Sequence, residues 1–102
     1  MPVTVFIRYE IDPFKRDKFE VYARRWLDII PHHGGELHGY WMPYEGTNNI
    51  AFALISFASL GAYEDYRARL RADDAGRANV EFAEQQQLIL AEERSFLEQV
   101  TR

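Results

Sequence analysis

The chain has 102 residues, 47% of them apolar and 27% charged, with a formal charge of −4 and a pI near 5.3. That balance is globular, and the length fits one domain, residues 1–102, with an adequate but modest core. No basic patch dominates, there is no cysteine, and no apolar run approaches a bilayer span, which speaks against nucleic-acid binding, thiol chemistry, disulfide staples and a membrane-crossing segment.

Val3 to Tyr9 alternates, with Val3, Val5, Ile7 and Tyr9 on one face and Thr4, Phe6, Arg8 and Glu10 on the other, so it is predicted to be a strand. Met1 is not followed by a basic stretch and a long apolar run, so no secretion signal is expected. Asp12-Pro13 is a helix start: aspartate is a favoured N-cap, and proline suits the first turn because its missing N–H would have no partner there. Phe19, Tyr22, Ala23, Trp26, Leu27 and Ile30 follow at helical spacing as one apolar stripe. Glu20 and Arg24 lie one turn apart off that stripe and are placed to pair. Pro31 and Gly34-Gly35 are expected to end the helix.

Leu37 to Met42 is predicted to be the second strand, with Tyr40 and Trp41 on opposite faces and His38 sharing a face with Tyr40 and Met42. Pro43 and Glu45-Gly46-Thr47-Asn48 form a turn. Ile50 to Phe57 is almost wholly apolar on both faces, the pattern of a central strand covered on both sides, and it should make a hairpin with the second strand. Ser59 caps a helix over Leu60 to Ala72 that buries Tyr63, Tyr66 and Leu70. Asp73 or Asp74 caps a shorter one that buries Ala78, Phe82 and Ala83. The tail from Leu88 suits helix or strand, and the alternation of Glu92 to Leu97 selects a final strand.

This order is the split β-α-β pattern of an α+β, ferredoxin-like domain with a four-stranded antiparallel sheet. Its first and last strands are expected not to be neighbours. Helices would cover one sheet face only, so the apolar second face of Ile50 to Phe57 calls for a homodimer paired through the sheet, a dimeric α+β barrel.

A set of positions carries a resemblance. Tyr9, Ile11 and Pro13, Gly39-Tyr40-Trp41, Gly46 and Asn49, Ser59-Leu60, and Glu93 with Leu97 together resemble the NIPSNAP family, within the dimeric α+β barrels, over nearly the whole length. The resemblance implies the fold and the dimer. It implies no settled activity; related barrels include cofactor-free monooxygenases, isomerases and haem enzymes, an analogy of fold alone. Family members often carry an acidic residue and an arginine where this chain has Val5 and Ile7, so its interior should be the more apolar.

Among chemistry-bearing residues, His32 and His33 read as helix C-terminal caps rather than metal ligands, since two adjacent loop histidines lack a third ligand. No metal and no cofactor is expected. His38, in a strand, and Arg8 are the candidate catalytic residues, His38 also being a candidate haem ligand; the plainer reading of His38 is a hydrogen-bonded histidine at a rim. Arg8 and Arg94 could hold an anion, although ion pairs with Glu10, Glu92 or Glu93 are the plainer reading. Tyr9, His38, Tyr40, Trp41, Asn49 and Arg94 form the expected pocket or interface set. The expectation is thus a cytoplasmic homodimer that holds a small apolar or aromatic molecule in a barrel cavity. A cofactor-free monooxygenase or isomerase is the alternative, followed by a haem-binding barrel or a purely structural role.

Overall fold

The first strand, β1 (Val3–Ile11), sets the frame: Val5, Ile7, Tyr9 and Ile11 are buried and the residues between them only partly so. In the computed structural model, which describes residues 1–102, it is followed by a 3-10 turn (Pro13–Lys15) and α1 (Arg16–His32). Next come β2 (Glu36–Trp41), β3 (Ile50–Phe57), α2 (Leu60–Ala72), α3 (Asp74–Gln86) and β4 (Ile89–Leu97). The four strands form one antiparallel sheet in the order β2-β3-β1-β4, the ferredoxin-like arrangement.

The expectation that the first and last strands are apart is overturned: β4 pairs along β1 from Thr4↔Leu97 to Ile11↔Ile89. The β2-β3 hairpin places β3 against one edge of β1, and the chain returning from α3 pairs with the other. As expected, β3 is central, with Ala51, Ala53, Ile55 and Phe57 buried toward the helices.

In α1 the buried stripe is Phe19, Tyr22, Ala23, Trp26 and Ile30. Leu27 is 46% exposed rather than part of it, because it lies about 100° around the helix from Trp26, beyond the face that meets the sheet. The Asp12 side chain accepts from the Phe14 N–H at 2.9 Å and so caps the 3-10 turn rather than the α-helix itself. Pro31 does not end α1 but sits in its last turn. The stop comes at Gly34, whose φ of +93° suits glycine, with the His33 and Gly35 amides both donating to the Ile30 carbonyl. Ser59 and Asp73 cap α2 and α3, accepting from the Ala62 and Gly76 amides. The Gly76 amide chiefly holds the Asp73 carboxyl below its ordinary pKa, and nearby His33 adds to this. In α3 it is Gly76, Asn79 and Ala83 that face inward, while Ala78 is exposed. Buried Asn79 ties α3 to α1 by donating from Nδ2 to the Tyr22 carbonyl at 3.0 Å.

A bulge in β2 reorders its side chains. Leu37 pairs with Ile55, yet Gly39 pairs with Leu54, so His38 is an extra residue. Beyond it the alternation shifts by one. Tyr40 and Met42 pack toward the helices as Leu37 does, and His38 goes to the other face, where its Nε2 lies 2.7 Å from Ser56 Oγ. The shared face expected for His38 and Tyr40 is therefore corrected. Gly39 has a φ of +154°, and a Cβ there would lie 3.3 Å from the Trp41 indole, so both backbone and space favour glycine.

All three helices pack on one face of the sheet. The opposite face carries Phe6 and Phe52, with ring centroids 5.3 Å apart, together with Leu54, Leu97 and Trp41, the last 47% exposed.

Candidate functional site

The helices do not close fully on the sheet. Between them lies a cleft of about 1060 Å³, whose floor is formed by Ile7, Tyr9, Tyr40 and Ile55. Tyr22, Trp26 and Ile30 of α1 make one wall, Tyr66, Arg67, Leu70 and Arg71 of α2 another, and α3 with β4 supplies Arg77, Glu81, Glu84, Glu92 and Arg94. The shape follows from the sequence locally. The alternation of β1 sends Ile7 and Tyr9 to the floor, and the β2 bulge turns Tyr40 to meet them.

The floor has a buried polar pair. The Tyr9 and Tyr40 hydroxyls are 3.1 Å apart, with their rings roughly parallel and 6.0 Å between centroids. Burial pushes the pKa of each well above the ordinary phenol value, and each is raised further by a neighbouring tyrosine. Burial also lifts Tyr22 to about 12 and raises Tyr66. In the folded chain these four phenols stay protonated where an unfolded chain would release their protons, so stability is full below the ordinary phenol range and falls as pH rises through it. An alkaline ultraviolet titration is expected to show Tyr9, Tyr22, Tyr40 and Tyr66 ionising only as the chain unfolds. Smooth ionisation of all six with the far-ultraviolet circular dichroism intact would contradict the packing of the floor.

At the rim, Arg94 Nη2 lies 3.5 Å from Glu92, and its side chain is 32% exposed. Burial works against its charge, but Glu92 and the phenols of Tyr63 and Tyr9 outweigh that and hold its pKa above the ordinary arginine value. The Trp26 Nε1–H is buried and completes no hydrogen bond of good geometry, although the indole leans on the Tyr22 hydroxyl.

Of the expected site residues, Tyr9, Tyr40 and Arg94 come together in this cleft. Arg8, His38 and Trp41 lie on the opposite sheet face, Arg8 at 3.6 Å from Glu93. Asn49 makes the turn into β3, its carbonyl accepting from the Ile11 amide at 2.8 Å. No histidine lines the cleft, so its residues do not fit a histidine-ligated haem. His33, at the C-terminus of α1, lies 3.5 Å from Asp73, and no group of three or more metal-ligating side chains converges. Reading the sequence missed Trp26, Tyr22 and Tyr66 as cleft residues because each sits on a helical stripe that reads as core. Arg67 carried a signal, being one residue beyond the Tyr63-Tyr66 stripe.

The sequence pattern of the NIPSNAP family matches residues 4–101. No protein with a curated description matches the chain. Among solved structures, the chain is similar to a NIPSNAP family protein from Agrobacterium tumefaciens, at 21% identity and a TM-score of 0.84, over 98% of this chain and 94% of that one. It is also similar to a NIPSNAP-like domain protein from Burkholderia xenovorans, at 20% identity and 0.79, over 98% and 86%. A candidate antibiotic biosynthesis monooxygenase from Bacteroides thetaiotaomicron superposes at 13% identity and 0.70, over 98% and 90%, a likeness of fold alone.

Proposed function

The chain belongs to the NIPSNAP family, and we propose that it works as a homodimer that holds a small, planar, largely apolar molecule in the cleft between the helices and the sheet of each protomer. The observation that carries the reading is the cleft itself. At about 1060 Å³ it is the size of a small-molecule site, walled by aromatic and aliphatic side chains, with a few convergent polar groups on its floor and rim. The cavity expected inside a barrel is thereby moved to the helix side of the sheet. The barrel interior, formed by the two open sheet faces, is assigned to dimer packing. Its side chains are those of a covered surface: Phe6, Phe52, Leu54 and Trp41 stand together where a monomer would present them to water. We read residues 1–102 as one such domain and place it in the cytoplasm, a location in keeping with the absence of cysteine. No helix is long and apolar enough to cross a membrane.

Calorimetric titration with 2-naphthamide, a neutral planar amide, tests the ligand reading. Saturable heat is expected from the parent chain and none from Leu70→Trp, in which an indole fills the cleft. Equal heats from the two would sink it. The alternative of a cofactor-free monooxygenase or isomerase rests on the two floor hydroxyls, which as protonated, desolvated donors suit stabilisation of a developing oxyanion. It requires Tyr9→Phe to abolish turnover of a phenolic substrate, followed by oxygen uptake or product absorbance, while binding is unchanged.

A further inference from the structure

We propose that the ligand of this cleft is an organic monocarboxylate, its planar body lying between α1, α2 and the sheet and its carboxylate held between Arg67 and Arg94; the inference rests on the cleft being a ligand site. Two guanidinium groups from separate elements meet at one atom. Arg67 Nη1 of α2 donates to the Tyr63 hydroxyl at 2.7 Å, and Arg94 Nη1 of β4 donates to the same oxygen at 3.1 Å. The Arg67 guanidinium also stands over the Tyr63 ring, 5.8 Å from its centroid. Two cations gathered on one neutral phenol repel each other unless an anion sits between them.

Only one side of that pair is neutralised. Glu92 lies 3.5 Å from Arg94, whereas no carboxylate lies within 4.0 Å of Arg67. Both arginines line the cleft, and Tyr63 stands behind them as the spacer that fixes their separation. A guanidinium presents paired donors that match the two oxygens of a carboxylate.

The charge count favours a monoanion over a phosphate monoester. The cleft is lined by four arginines, Arg67, Arg71, Arg77 and Arg94, and three glutamates, Glu81, Glu84 and Glu92, an excess of one positive charge. Arg77 is turned away to Asp74 and to the Arg71 carbonyl, which leaves three arginines against three glutamates, so a second negative charge on the ligand would go uncompensated. The apolar wall points to the rest of the ligand. The Trp26 indole N–H, in a side chain only 6% exposed, is a donor without a completed hydrogen bond in the same cleft. A ring or carbonyl oxygen on the ligand body would give it the well-aligned acceptor that the Tyr22 hydroxyl does not provide.

The experiment compares 2-naphthoate, 2-naphthamide and 2-naphthyl phosphate by calorimetric titration, with the parent chain, Arg67→Gln and Arg94→Gln. Arg67 is only partly buried and belongs to no part of the buried core, so its variant keeps the fold even where Arg94→Gln does not. In the parent, 2-naphthoate is expected to bind about ten-fold or more tighter than 2-naphthamide, and tighter than the phosphate, with an advantage that shrinks as salt is raised. In Arg67→Gln that advantage should disappear, the affinity for 2-naphthoate falling to that for 2-naphthamide. Equal affinity for naphthoate and naphthamide in the parent would overturn the carboxylate inference and leave the ligand site standing. A naphthoate preference untouched by Arg67→Gln, or a stronger preference for the phosphate, would also overturn it. Failure of all three probes to bind would remove the ligand site and the inference together.

Discussion

Leu54→Glu is expected to leave a monomer of 12.0 kDa where the parent chain sediments at twice that mass. Leu54 stands on β3 at the middle of the open sheet face, opposite Phe6 on β1 and Gly39 on β2. Around it Phe52, Trp41 and Leu97 extend the apolar surface to both edge strands. A glutamate there would keep its charge in water as a monomer but would have to be desolvated on pairing with a second copy, and Arg8, the cation on the same face, is already engaged by Glu93. That costs several kcal/mol, enough to move a micromolar dimer wholly to monomer. The fold itself should survive, since the residue lies on the side away from the helices, and circular dichroism would confirm that. A parent chain that sediments as a monomer would dispose of the dimer. A Leu54→Glu chain that remains dimeric would show that some other surface pairs.

The largest loss of stability is expected from Phe19→Ala, about 3–5 kcal/mol. Phe19 is fully buried and meets Tyr9 edge-on, with centroids 5.1 Å apart, and Tyr22 at 5.5 Å. It is the wedge of α1 that keeps the floor tyrosine in place. Its removal deletes an aromatic side chain and leaves a cavity that rigid neighbours on β1 cannot collapse into. For a domain that is stable by about 5–15 kcal/mol this is a large share, and a fall in melting temperature on the order of 20 °C should follow. Thermal or urea denaturation measures it. A loss below about 1 kcal/mol would mean that α1 is not seated on β1 through this ring. Because Tyr9 loses its support, 2-naphthamide should also bind more weakly to this variant under conditions where it is still folded.

Much of the candidate site was visible in the sequence as residue types, and little of it as an assembly. Tyr9, Tyr40 and Arg94 were singled out and do meet in the cleft. His38 and Trp41, expected in the same set, and Arg8, expected as a candidate catalytic residue, lie on the other side of the sheet. The separation turns on one inserted residue. Strict alternation puts His38 and Tyr40 on one face, but the bulge at His38 reverses every side chain after it, and a bulge has no periodic signature. Only the Gly39 that follows hints at it, through a backbone conformation that a larger side chain would resist.

The sequence by itself determined the elements. The two-residue period of Val3 to Tyr9, the two-sided apolar run of Ile50 to Phe57, the helical stripe from Phe19 to Ile30 and the caps at Ser59 and Asp73 each act within a few residues, so local spacing reports them. Tertiary structure decided what those elements build. That β4 lies beside β1, that Leu27 faces water, that Arg67 and Arg94 share the Tyr63 hydroxyl and that the cleft opens on the helix side all depend on pairings between residues far apart in the chain. Such pairings are chosen by the total burial and hydrogen bonding of the whole sheet and its helices, a quantity that no single segment carries.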